Sequence, residues 1–186
     1  NALDMAVSYT TNSTVPDDEK PHFRFKYYRG RWGLTGYYNR ADFYDLFGPT
    51  KVSRKGHSLA IDYGHSFLID RPKKMGLDLR TALYGDLEYL PDYQNVQATI
   101  KDFYTLEGTF HYTHLRRTIG SIQAEKGVKF SLSSYNSLIN GELYPMVWAG
   151  LDYGLLLPWD HSSIWLRASG GVSFGDRAES NSYFFF

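Results

Sequence analysis

Residues 56–69 read GHSLAIDYGHSFLI, and their alternation decides the fold. The odd positions His57, Leu59, Ile61, Tyr63, His65, Phe67 and Ile69 are apolar or aromatic. The even positions Gly56, Ser58, Ala60, Asp62, Gly64, Ser66 and Leu68 are mostly small or polar. Successive side chains of a β-strand point to opposite faces, so a period of two predicts a strand with one apolar and one wet face. Residues 77–89 repeat the pattern, with Leu77, Leu79, Leu83, Leu87 and Tyr89 opposing Asp78, Arg80, Asp86 and Glu88. Outward from these two segments the alternation recurs along the chain, and no sustained i, i+3, i+4, i+7 pattern of a helix competes with it. The sequence therefore predicts an all-β, antiparallel chain.

Length narrows the class. The alternating runs extend to roughly 12–17 residues, whereas strands of soluble domains typically have about 5–6. A tilted strand needs ~9–11 residues to cross a bilayer, so these runs are long enough to span one and project beyond it. About nine strands are expected, near residues 3–9, 22–28, 32–38, 56–69, 75–89, 98–114, 127–134, 144–157 and 163–174. Short turns are predicted at Arg29–Arg31, Asp70–Lys73 and Pro158–His161, with longer connections at residues 10–21, 39–53, 90–96 and 135–143. That rhythm is the turn-and-loop pattern of an up-and-down transmembrane β-barrel. The stretch from Leu115 to Gly127 fits it worst, being too long for a tight turn unless the strands extend into it. Bacterial single-chain barrels close with an even number of strands. An odd count, followed by Tyr183 to Phe186 without alternation, suggests that the 186 residues form one domain cut from a larger barrel.

Composition removes several function classes. Lys and Arg total 20, as do Asp and Glu, so no basic excess exists to neutralise phosphates and no nucleic-acid partner is expected. The absence of Cys excludes disulfide scaffolds and thiol catalysis. His111 and His114 fall on opposite faces of a strand, and His57 and His65 stand roughly 26 Å apart along one, so neither pair can share a metal ion. Ser66 beside His65, and Ser162 beside His161, point to opposite faces and cannot act as nucleophile and base. No catalytic residue and no cofactor are expected. Asp42 and Asp45, among Phe43, Tyr44, Phe47, Gly48 and Pro49, offer carboxylates and rings that suit a cation or a glycan, but the favoured reading is a compact loop that folds its own aromatics over or into the barrel mouth.

Three further stretches carry a resemblance. Residues 39–56 read NRADFYDLFGPTKVSRKG, residues 115–132 read LRRTIGSIQAEKGVKFSL, and residues 149–177 read AGLDYGLLLPWDHSSIWLRASGGVSFGDR. Together they resemble the surface-antigen outer-membrane β-barrels of the assembly-factor and two-partner-secretion superfamily. Within it they are most similar to barrels that follow a WD-repeat-like or Tol-like β-propeller. The resemblance covers about half the chain. It implies a barrel of about sixteen strands in the outer membrane of a Gram-negative-type bacterium, with the lipid bilayer and a fused periplasmic propeller as partners. The superfamily's Arg-Gly-Phe loop motif is missing, so no transport residue carries over.

The charged positions give the sharpest expectations. Asp62, Asp78, Arg80, Asp86, Asp152 and Arg167 fall on the polar faces and are expected to line a lumen. Pairing Leu157 with Ser162 sets Asp152 opposite Arg167, and pairing Leu68 with Lys74 sets Asp62 opposite Arg80. The expected function is a pore or translocation channel, or a membrane anchor for a fused module. The alternative is a soluble all-β domain whose aromatics form a core and a ligand cleft.

Overall fold

The computed structural model describes residues 1–11, 13, 17–39, 56–86 and 102–174. Among them, nine strands form one antiparallel sheet in sequential order, β1 (Ala2–Tyr9), β2 (Pro21–Arg29), β3 (Trp32–Tyr38), β4 (His57–Asp70), β5 (Lys73–Gly85), β6 (Phe103–Arg116), β7 (Lys126–Ile139), β8 (Glu142–Leu156) and β9 (Ser163–Ser173). The only helical element among the described residues is a 3-10 turn at Asp17–Glu19. The central strands run to 13–15 residues, well beyond the usual length, as the alternation requires. The Asp42–Asp45 loop, the Leu87–Lys101 stretch and the chain end at Tyr183–Phe186 lie outside the described residues.

Register follows the sequence with two corrections. Asp62 pairs with Arg80 and Asp152 with Arg167, as the turn arithmetic predicts. Leu68, however, pairs with Met75 rather than Lys74, because a bulge between Ser66 and Leu68 absorbs one residue. Two errors cancel there. The two-residue turn Arg71-Pro72 shifts the ladder one way and the bulge shifts it back before Asp62 is reached. The second correction concerns residues 135–143, which are not a long connection. β7 continues to Ile139, which pairs with Glu142 across a two-residue turn of Asn140 and Gly141. Both turn residues have positive φ, 51° and 86°, the conformation of a type I′ hairpin turn and the reason an Asn-Gly dipeptide sits there. Leu115 to Gly127 is mostly connection: β6 and β7 extend into it by two residues from each side and leave residues 117–125 between them.

The pairings propagate one side-chain parity across the whole sheet. Asp4, Arg24, Lys26, Asp62, Asp78, Arg80, Glu107, His111, Lys129, Asp152 and Arg167 all project from one face. The other carries Leu3, Met5, Val7, Phe25, Leu34, Leu59, Ile61, Leu79, Leu83, Leu106, Phe110, Leu132, Leu151 and Leu166. Charged residues on this apolar face are Arg29, Asp70, Lys73, Arg116 and Lys126, and each is the first or last residue of its strand at the same end of the sheet.

No second layer covers either face among the described residues. Among the described residues, buried apolar side chains are confined to Ala60, Ala82, Ile139 and Tyr144. The last two meet Phe103 on the charged face near the end of the sheet where β7 turns into β8. Tyr84 stacks on Phe103 there, with ring centroids 4.4 Å apart. That aromatic patch was not legible as a unit in the sequence, because its members come from four strands. Asn39, 1% exposed, ties the base of the β3–β4 connection. Its Nδ2 donates to the Asp18 carbonyl (2.6 Å) and its Oδ1 accepts from the Gly56 amide (3.1 Å).

Gly127 is the tightest backbone position. Its φ is +138°, and a Cβ there would lie 1.9 Å from the His114 carbonyl oxygen across the ladder. Gly141 has positive φ but open space around it. Gly141→Ala is therefore expected to destabilise by about 1 kcal/mol, from backbone strain alone. Gly127→Ala adds a backbone clash and should cost at least about 3 kcal/mol. Urea midpoints of the two variants check the order, and equal midpoints would contradict the geometry.

Candidate functional site on the charged face

Adjacent strands bring Asp62, Arg80, Glu107 and Tyr135 into one cross-strand row over β4 to β7. Arg80 Nη1 donates to Asp62 Oδ1 at 2.8 Å, and Thr35 Oγ1 reaches the other Asp62 oxygen at 3.4 Å. The Arg80 and Asp62 side chains are 34% and 26% exposed, so the pair is half-buried rather than dry. One row along, Asp78 faces His111 Nδ1 at 3.3 Å. Tyr28, Asp62, Asp78, Arg80 and Glu107 line a groove of about 390 Å³ whose floor includes Gly64 and Gly108. Three carboxylates surround one guanidinium there.

The face has the opposite balance over β7 to β9. Lys129, Asp152 and Arg167 occupy one row. Asp152 Oδ1 lies 3.9 Å from Arg167 Nε, an ion pair too long for a hydrogen bond.

Five of the six residues singled out in the sequence, Asp62, Asp78, Arg80, Asp152 and Arg167, share this face. Asp86 does not sit on a strand. It follows the last residue of β5 with φ at 52°, is exposed, and its amide donates to the Asp102 carboxylate at 2.9 Å. The end of β5 at Gly85 removes it from the alternation that its parity suggested. Sequence reasoning missed Glu107 and Lys129, although both alternate with apolar neighbours, because their rows become visible only when six strands are in register. Tyrosine and tryptophan side chains of the strands divide between the faces. Tyr27, Trp32, Tyr38, Tyr63 and Tyr112 are on the apolar side, and Tyr28, Tyr37 and Tyr144 on the charged side.

The β6–β7 connection carries a second polar cluster. Thr118 donates to the Glu125 carboxylate through both its amide (3.1 Å) and its hydroxyl, and His161 Nδ1 from the β8–β9 turn lies 3.1 Å from Glu125 Oε1. Thr118 Oγ1 and Glu125 both approach the same imidazole nitrogen. A catalytic relay needs nucleophile and orienting acid on opposite ring nitrogens, so this is a structural latch joining two turns. Ser162 Oγ donates to the Asp160 carbonyl and not to His161. No group of His, Asp and Glu able to hold a metal occurs among the described residues.

The bonds from Thr118 hold the Glu125 carboxyl below the usual carboxylate range, against the burial that raises it, with His161 adding to the fall. A carboxyl whose folded value is depressed stabilises fully above its unfolded pKa, near 4.3, and loses that contribution as pH falls through the folded value. Amide protection in residues 117–125 is expected to drop below about pH 4 in the native chain. In Glu125→Gln it should be lower at neutral pH and flat through the same window. Hydrogen exchange measured between pH 3 and 7 checks this, and an acid step that survives the substitution would refute it.

The two ion pairs should differ in strength. A half-buried, directly bonded cross-strand pair contributes up to ~1 kcal/mol, and a wide exposed pair close to none. A double-mutant cycle with Asp62→Asn and Arg80→Gln is expected to give about 0.5–1 kcal/mol of coupling, and one with Asp152→Asn and Arg167→Gln less than about 0.3 kcal/mol. Compared with known proteins, the chain matches no family model, no curated protein and no solved structure.

Proposed function

We propose that this chain forms part of the wall of an outer-membrane β-barrel, with its charged face lining an aqueous conduit and its apolar face against lipid. The observation that carries the proposal is the parity of the sheet. Every charge on the apolar face is confined to a strand terminus, while the charges inside the strands project from the other side. Leu59, Ile61, Leu79, Leu83, Leu106, Leu132, Leu151, Leu155 and Leu166 are each exposed by 40–59% with no layer over them. Burying such a side chain fully is worth about 1.5–3 kcal/mol, so leaving these half-covered in water forgoes on the order of 10 kcal/mol. That matches the whole net stability of a typical domain, about 5–15 kcal/mol. Hydrocarbon removes the deficit. It also explains the strand-end charges, because Arg or Lys at the bilayer midplane costs roughly 2–4 kcal/mol and near the interface almost nothing. β1 and β9 are the edges of the sheet, and a barrel satisfies them by pairing each with another strand. Conductance across a planar bilayer separates an open conduit from a passive anchor.

The patch of Phe103, Tyr84, Ile139 and Tyr144 on the charged face favours a second reading, a soluble all-β domain with an aromatic ligand cleft. Site-directed labelling separates the two. Single cysteines at Leu79 and Leu151 are expected to react with a lipid-phase probe, and cysteines at Arg80 and Asp152 with a water-soluble thiol reagent. Cooperative folding in plain buffer with no detergent, or the reverse labelling pattern, would exclude the barrel wall.

A further inference from the structure

We propose that a basic pocket beside the β6–β7 connection binds a small oxyanion bearing two or more charges, of the phosphate or polycarboxylate class. The pocket's position on the aqueous side of a membrane rests on the reading above; its chemistry does not. It has a volume of about 340 Å³ and is built from the connection itself together with β6, β7, β8 and β9.

Two adjacent rows of the sheet form its floor. In the first, Leu115, Gly127, Gly154 and Trp165 stand side by side. The Trp165 ring lies across Gly154, 2.6–2.8 Å from where a Cβ would stand, and it lines the pocket together with Leu115. In the second, Lys129, Asp152 and Arg167 are neighbours. Residues 122–124 and Arg117 wall the pocket from the connection, which the Glu125–Thr118–His161 latch holds closed.

Three cations, Arg117, Lys129 and Arg167, therefore line one pocket with a single carboxylate, Asp152. Asp152 neutralises one of them at most, through the 3.9 Å contact with an Arg167 side chain that remains 75% exposed. Arg117 and Lys129 form no ion pair with any described residue. Two positive charges are left for a ligand, with guanidinium forks that match an oxyanion's edge. The surroundings select for small anions. The chain as a whole is neutral, so the pocket is a local excess and not part of a basic surface suited to a polyanion. The groove over β4 to β6, with Asp62, Asp78 and Glu107 around Arg80, repels the same ligand. The charged face is thus divided into an acidic half and a basic half.

The test uses the full chain folded in zwitterionic detergent at low ionic strength, titrated with inorganic phosphate. Tryptophan emission is followed, and the same titration of Trp165→Phe isolates the Trp165 component. A saturable change is expected. Lys129→Gln or Arg167→Gln should weaken it about tenfold, equivalent to about 1.4 kcal/mol. Asp152→Asn should tighten it, because the competing carboxylate is gone. Strand content by circular dichroism verifies that each variant is folded. Phosphate affinity unchanged in Lys129→Gln and Arg167→Gln, or weakened in Asp152→Asn, would overturn the proposal. So would a response to anionic lipid doped into the micelle with none to soluble phosphate, since that puts the pocket on the lipid side. A chain that requires detergent to fold but does not respond to phosphate loses only the anion site. A phosphate response from a chain that folds without detergent loses only the membrane reading.

Discussion

Everything in this molecule depends on a period of two held over long strands, with one bulge in β4. Each strand alone separates its side chains into two sets, and antiparallel pairing then adds those sets across nine neighbours. The result is a single layer whose faces differ as oil differs from water. A one-residue slip in any hairpin would transfer a row of leucines to the charged side, so register is specified by the same alternation that creates the faces. The bulge after Ser66 is informative for this reason. It corrects a two-residue turn that would otherwise have set Asp62 and Arg80 out of step.

Domains in water normally bury the apolar face of a sheet against a second layer. Here the described residues provide none, and the burial that does occur is local: a few small residues within the sheet and one aromatic patch near the Asn140-Gly141 turn. The strand-end charges Arg29, Asp70, Lys73, Arg116 and Lys126 then form a boundary to the apolar band along one end of the sheet. The proposed hydrocarbon environment would account for both features with one physical cause.

The charged face does work of a different kind. Its ion pairs are wet and individually weak, so they contribute little to stability and more to the electrostatic character of the surface. Carboxylates gather over β4 to β6 and cations over β7 to β9, and the β6–β7 connection borders the cationic half. That connection is held by Glu125, whose bonds to Thr118 and His161 satisfy a carboxylate that is almost fully covered. A polar group tied down in this way keeps a surface loop in one conformation, and a loop in one conformation can form the wall of a pocket.

The sequence by itself determined the nine strands, the identity of the two faces and the Asp152–Arg167 pairing, whereas Asp62 and Arg80 were matched only because a bulge offset the two-residue turn. The first three follow from local alternation and turn length, which neighbouring residues encode directly. The Asn140-Gly141 turn was equally legible, and only an expectation of alternating loop lengths obscured it. What the tertiary structure alone decided is whatever depends on several strands at once. The rows that join Glu107 to Arg80 and Lys129 to Asp152, the aromatic patch drawn from four strands, and the His161 to Glu125 latch all unite residues far apart in the chain. Their proximity is set by summed register shifts across the sheet, and no short window of sequence contains that sum.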